Sequence, residues 1–397
     1  MPPAPALTGA VVEPGVAPDG DREPARPVAV VPAHGRARYA TLDGLRFVAA
    51  ALVVAYHFTA YGSAAWGEPA SAHFPALHRV TAFGAFGVDL FFVISGFVIL
   101  MSAWGRDVVG FAASRVGRIF PAYWVAVLAT GTLLLALWPQ GKKVSGDGVA
   151  LNLTMLQTAF GVGNVDGVYW TLWAELRFYV LVAVLLAVGM TTLRLYAVVL
   201  LWPAVAAICA TQGLQGIGTL LIAPQASFFA GGMALYLVAR DRRSFVAWAA
   251  LACNVLVATT VGARPTTRAV AAATGVDAGR LGGALVVAAC FAAVAVAVLT
   301  PLRRVHLAWL TTLGLLTYPL YLLHEYWGWW IVAHVRGRTP DAVALALAVA
   351  AALGAAWAVH RWVERPWGPR LRRRVEGELR RAVLRDRDEA RRRSDPA

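Results

Sequence analysis

The chain has 397 residues, of which 59% are hydrophobic and only 15% charged, and its mean hydropathy is positive. So few charges could not cover a soluble globular domain of this size, which assigns most of the chain to lipid. The formal charge of +14 raises nucleic acid as a partner, but no zinc spacing or nucleic-acid motif accompanies it, and basic residues collect where membrane topology signals collect.

The first forty residues are rich in Pro, Ala, Val and Gly and hold no basic cluster ahead of a short apolar core. Residues 1–40 therefore read as a disordered cytoplasmic leader and not as a signal peptide. Ten apolar segments come next, at 44–62, 83–104, 117–138, 168–189, 192–211, 218–239, 244–261, 280–299, 307–334 and 340–363. Each is near the ~20 residues that cross a bilayer core. The longest break, 139–167, reads as an external loop carrying a short re-entrant or amphipathic piece. No internal repeat of the kind found in many secondary transporters is visible. Residues 41–368 form the membrane domain, and 369–397 a basic cytoplasmic tail whose stretch RLRRRVEGELRRAVLRDRDEARRR has helical charge pairing. Thirteen arginines lie between Arg361 and Arg393 and five from the start of the chain through Arg46. An even number of spans puts both ends on one face, and those eighteen basic residues make it the cytoplasm. The expected fold is an all-α polytopic bundle of about ten spanning helices in the cell (plasma) membrane, both termini cytoplasmic, with membrane lipids as partners. Cys209, Cys253 and Cys290 sit inside apolar spans at no short spacing, so they read as core residues and no metal site is expected.

Ionisable side chains within spans cost several kcal/mol unless they face protein or water, so each is a functional candidate. In LDGLRFVAAALVVAYHF, residues 42–58, His57 lies eleven positions after Arg46. At ~100° and ~1.5 Å per residue the two project from one helix face, roughly 16 Å apart along the axis. FGVDLFFVISGF places Asp89 and Ser95 in the second span, YWTLWAELRFY places Glu175 in the fourth, and TYPLYLLHEY places His324 in the ninth. The topology sets His57, Asp89, Glu175 and His324 in one layer, where imidazoles and carboxylates can abstract a proton, orient the base and hold developing charge. A structural alternative pairs them as ion bridges, with Arg177 neutralising Glu175. At the opposite rim, SRVGRIFPAYW puts Arg115 and Arg118 close to one turn apart beside Arg46, a fork suited to phosphate groups. An anion-binding mouth with an acid/base site about 16 Å further in fits a donor with a phosphorylated head and a long thin reactive arm, the shape of a coenzyme A thioester.

Those motifs, with the closing HRWVERPW, resemble the acyltransferase 3 family of integral membrane acyltransferases over about residues 40–368. The resemblance implies a ten-helix bundle that transfers an acyl group, commonly acetyl, from acyl-CoA to a hydroxyl of a carbohydrate, cell-envelope glycan or glycolipid. A small natural product such as a macrolide is the alternative acceptor, and a proton-coupled transporter the rival outside enzymes. Position by position, the resemblance carries Arg46 and His57 of the first span, Arg115 and Arg118 of the third and Glu175 of the fourth. It also carries Asp89 and Ser95, and makes Glu364 and Pro366 the anchor at the end of the tenth. The implied roles are CoA phosphate binding for Arg46, Arg115 and Arg118, and proton abstraction or brief acyl carriage for His57. Glu175 would orient or charge the imidazole.

Overall fold

The computed structural model describes residues 39–394, and every regular element among them is helical. The expected disordered leader lies outside the described residues except for its last two. All ten predicted segments are helices: α1 (Ala40–Thr59), α2 (Gly87–Ala103), α3 (Val108–Thr132), α4 (Trp170–Ala187) and α5 (Thr192–Thr211). After them come α6 (Ala226–Arg240), α7 (Phe245–Val257), α8 (Gly279–Leu299), α9 (Ala308–Val335) and α10 (Asp341–Val359). A further long helix, α11 (Arg365–Ser394), closes the described chain.

Eight helical segments are long and apolar enough to cross a bilayer, which makes this a multi-pass membrane bundle. The other two predicted spans differ for opposite reasons. Helix α6 has only 15 residues, about 22 Å at ~1.5 Å per residue, and its side chains are almost all buried between neighbours. Helix α9 has 28 residues but carries Thr, Tyr, Trp, His and Glu among its apolar positions. Its polar groups His324 and Glu325 are buried in protein, where an ionisable side chain at membrane depth belongs.

Several helices start on side-chain caps that relieve orphan N–H groups: Asp107 accepts from Gly110 N at 3.2 Å, Thr191 from Arg194 N at 3.3 Å and Ser244 from Ala247 N at 3.2 Å. The far end of α1 is closed differently. Trp329 donates its indole N–H to the His57 carbonyl at 3.0 Å, and Trp66 donates to the Phe58 carbonyl at 2.8 Å. Both occupy carbonyls that α1 cannot satisfy itself, and they fix the backbone under His57.

Lipid tails are as apolar as leucine, so helices inside a membrane associate through close packing of small residues. Helices α2 and α6 show this at Gly96 and Gly232. A Cβ on Gly96 would lie 2.1 Å from the Phe229 carbonyl oxygen, and one on Gly232 would lie 2.1 Å from that of Val93. Ser95, next to Gly96 at this crossing, lines a cavity inside the bundle. Helices α1 and α9 pack together, as do α9 and α10.

The expected basic tail from 369 onward lies within the continuous helix α11, which packs along α3. A Cβ on Gly117 of α3 would sit 2.7 Å from the Gly368 carbonyl oxygen and 2.7 Å from Arg372 Cβ. Arg380 also pairs with Asp107 at 2.9 Å. The break between α3 and α4 holds the expected short helix, Gly146–Asn152. Asn152 organises the rest of this loop: its amide donates to the Gly148 and Gly163 carbonyls, and its oxygen accepts from Val165 N at 3.0 Å. That network delivers Asp166 to the start of α4.

Candidate active site

Two cavities lie in series inside the bundle. The first, about 840 Å³ including its open mouth, is walled by Arg46 of α1, Arg115 and Arg118 of α3, Ser95 of α2, and Glu175 and Tyr179 of α4. The expected convergence of the three arginines is therefore present. Arg46 is ion-paired to Asp43 at 3.8 Å and Arg118 to Glu364 at 4.0 Å, separations too long for hydrogen bonds, so both guanidinium groups keep donors for a ligand anion. Arg115 donates to Ser114 Oγ at 3.1 and 3.3 Å and lies over the Phe111 and Tyr179 rings. Glu364 is buried and also accepts from His360 Nδ1 at 2.8 Å. It thus ties the end of α10 to α3, in keeping with an anchoring part.

The second cavity, about 1020 Å³ including its space open to the outside, is walled by His57, Asp89, Glu325, Tyr61, Trp170 and Gln225 among others. Val88 and Tyr321 line both cavities, so the two abut there. Tyr321 is held in place by its hydroxyl, which lies 3.0 Å from Thr171 Oγ1 and donates to the Val168 carbonyl at 3.2 Å.

The imidazole of His57 has a defined hydrogen-bond state. His324 Nδ1 sits 2.9 Å from the Tyr321 carbonyl and 3.2 Å from that of Leu320. Carbonyls only accept, so Nδ1 of His324 carries the proton and its Nε2 is a lone pair. That Nε2 lies 3.1 Å from His57 Nδ1, which is also 2.9 Å from the Val53 carbonyl. With two acceptors facing it, His57 Nδ1 is an N–H. Assigning the tautomers from this network leaves His57 Nε2 as a lone pair, and among the described residues it has no hydrogen-bond partner while the ring lines the cavity. Such a nitrogen can accept a proton or attack a carbonyl.

His57 and His324 are therefore in contact, as the single-layer expectation requires, and Asp89 shares the cavity of His57. Glu175 does not. It lines the arginine cavity, where it accepts from Tyr179 at 2.5 Å and from Ser95 at 3.5 Å. The expectation that it orients the imidazole is corrected on this point: the group touching His57 is His324. Arg177, the alternative partner for Glu175, instead donates to the Trp173 carbonyl at 3.2 Å and lies over the Trp173 ring.

Two further acids belong to the site that the sequence does not single out. Glu325 lines the histidine cavity near Asp166, and both carboxyls are buried; burial pushes the Asp166 carboxyl up to about 6. Glu325 is legible as an acid in an apolar run beside His324, whereas Asp166 sits in a loop that carries no periodic signal. Among the described residues no group of three or more His, Cys, Asp or Glu side chains is gathered as a metal would require.

The profile of the acyltransferase domain family matches residues 39–361. Similar curated proteins include acyltransferase MdmB of Streptomyces mycarofaciens, 30% identical over 151 residues, which are 36% of this chain and 38% of that protein. Exopolysaccharide production protein ExoZ of Rhizobium meliloti (strain 1021) is 51% identical over 53 residues, 13% of this chain and 16% of that protein. The matched stretch is thus well under half the length of either relative. No solved structure matches the chain.

Proposed function

The chain belongs to the acyltransferase domain family, and from that premise we propose that it carries an acyl group, most simply acetyl, from acyl-CoA to a hydroxyl of a carbohydrate or glycolipid in the cell membrane. The observation that carries this reading is the serial pair of cavities, arginines around one and an unpartnered imidazole nitrogen in the other, meeting at Val88 and Tyr321. Arg46, Arg115 and Arg118 hold the donor's phosphates, and the eighteen basic residues of the two terminal segments support a cytoplasmic mouth. The thioester arm passes Glu175, Ser95 and Tyr179 and ends at His57.

The acceptor lies in the second cavity, where aromatic rings, the Gln225 amide and the Asp89 and Glu325 carboxyls suit a polyhydroxylated ligand. His57 Nε2 takes the proton of the acceptor hydroxyl as its oxygen attacks the thioester carbon. The carbon–sulfur bond breaks, and the departing CoA thiolate recovers that proton from the imidazolium. His324 serves as a positioning residue, since its Nε2 lone pair holds the Nδ1–H of His57 and stabilises the ring when it is charged. The name of the ExoZ relative supports a polysaccharide-type acceptor.

His57→Ala tests this. On purified, inserted protein it should lower acetyl transfer by on the order of 10³-fold, within the range for loss of a positioned acid/base group. Retention of a tenth of the wild-type rate would overturn the assignment.

A further inference from the structure

Beside the arginine cavity runs a second, more open groove of about 810 Å³ between α3 and α11. Arg118 lines both. At its base the Gly117–Gly368 crossing brings α3 and α11 into backbone contact, since a Cβ on Gly117 would fall 2.7 Å from the facing carbonyl oxygen. Arg372 and Arg373 of α11 form its wall.

The charges do not cancel. Arg118 faces Glu364 at 4.0 Å, and Arg372 faces Glu376 at 3.9 Å, but Glu376 is also bonded to Arg380 at 2.9 Å. Arg373 has no acidic partner within 4 Å among the described residues. A positive surplus with an unengaged guanidinium, one step from the cavity that faces the thioester path, is what a second phosphate group on the same donor requires.

We propose that this groove seats the nucleotide end of the donor, with Arg373 and Arg372 binding the phosphomonoester on the adenosine ribose, while Arg118 is shared with the pyrophosphate in the adjoining cavity. This rests on acyl-CoA being the donor. Helix α11 is then part of the substrate site, and donor recognition spans α1, α3 and α11.

The test compares acetyl-CoA with 3′-dephospho-acetyl-CoA on the purified full-length chain in nanodiscs. Wild type should show a KM for the dephospho donor about tenfold higher, the factor that corresponds to about 1.4 kcal/mol. Arg373→Gln should raise KM for acetyl-CoA by a similar factor, leave the dephospho donor unchanged and keep kcat within about twofold, so the preference collapses. Arg373 is exposed, so folding should survive, and Arg373→Glu should deepen the effect on acetyl-CoA alone. Equal loss with both donors overturns the proposal, and if that loss also tracks the phosphatidylglycerol content of the nanodisc, the groove binds lipid headgroups. An unchanged preference overturns it as well. Should wild type turn over neither thioester while transferring acyl groups from a different donor, the acyl-CoA reading itself fails, which is a distinguishable result.

Discussion

A single hydrogen bond decides what His57 can do. Because His324 Nδ1 faces two carbonyls, its other nitrogen must accept, and the ring of His57 is turned with its proton inward and its lone pair toward the cavity. None of that is readable from residue order, since periodicity reports depth along a helix and not which neighbour rotates into contact. The same limit explains Glu175. Its depth is legible, but depth does not specify that Tyr179, one turn on, and Ser95 across the interface take its oxygens. Asp166 offers the sharpest test at this scale. A free aspartate titrates near ~3.9, whereas burial holds the folded Asp166 up to about 6. The folded state therefore keeps a proton that the unfolded chain gives up, and this contribution is full below about pH 4 and lost as pH rises through 6. Asp166→Asn retains an oxygen for the Val168 N–H it now accepts at 3.2 Å and carries no titratable group. Thermal unfolding of the purified protein across pH 4–7 should show wild type losing stability relative to the variant as pH rises through 6. Parallel curves for the two proteins would dismiss the buried, protonated carboxyl.

The helices themselves are legible because each is a long apolar run between polar breaks, and that signal needs no knowledge of neighbours. How they cross is not. Gly96 lies in a run that reads simply as apolar, and its meaning comes from Gly232, 136 residues later. Their backbones touch, with carbonyl oxygens occupying the space a side chain would need. A carbonyl oxygen cannot rotate away as a side-chain tip can, so Gly232→Val must separate α2 from α6. The expected cost is at least about 1–3 kcal/mol, the usual scale of overpacking, seen as a lower apparent Tm. Catalysis should fall too, because Ser95 is set in the arginine cavity by this crossing. Gly354→Ala in α10 is the control: a Cβ there meets nothing within 4 Å, and both stability and activity should be retained. Equal effects of the two substitutions would show that the α2–α6 contact has no special role. The docking of the closing helix is hidden for the same kind of reason, since charge pairing identifies a helix but does not report that Gly117 and Gly368 let it pack on α3.

Across the whole molecule the polar groups are sorted into two chambers of different character. Three arginines face the first, while Lys and Arg are missing from the described lining of the second, which has His57, Asp89 and Glu325 instead. An anionic group is thereby favoured at one end only, in keeping with the proposed donor and acceptor ends. Val88 and Tyr321 stand where the chambers meet. Tyr321 is fixed by Thr171 and the Val168 carbonyl, so it cannot swing aside without breaking both bonds, and the proposed thioester path runs beside Val88. Val88→Trp should fill that path. Acetyl transfer is then expected to fall by about 10²-fold or more, the scale of displacing a reacting group from its attack position. Binding of acetyl-CoA, measured by calorimetry, should stay within about threefold, because the arginines proposed to hold its phosphates line the first chamber. Val88→Ala, which widens the passage, should remain active. Loss of donor binding together with turnover in Val88→Trp, at unchanged apparent Tm, would mean that the donor is held in the second chamber. Full activity in that variant would mean that the thioester reaches His57 by a path that avoids the Val88–Tyr321 junction.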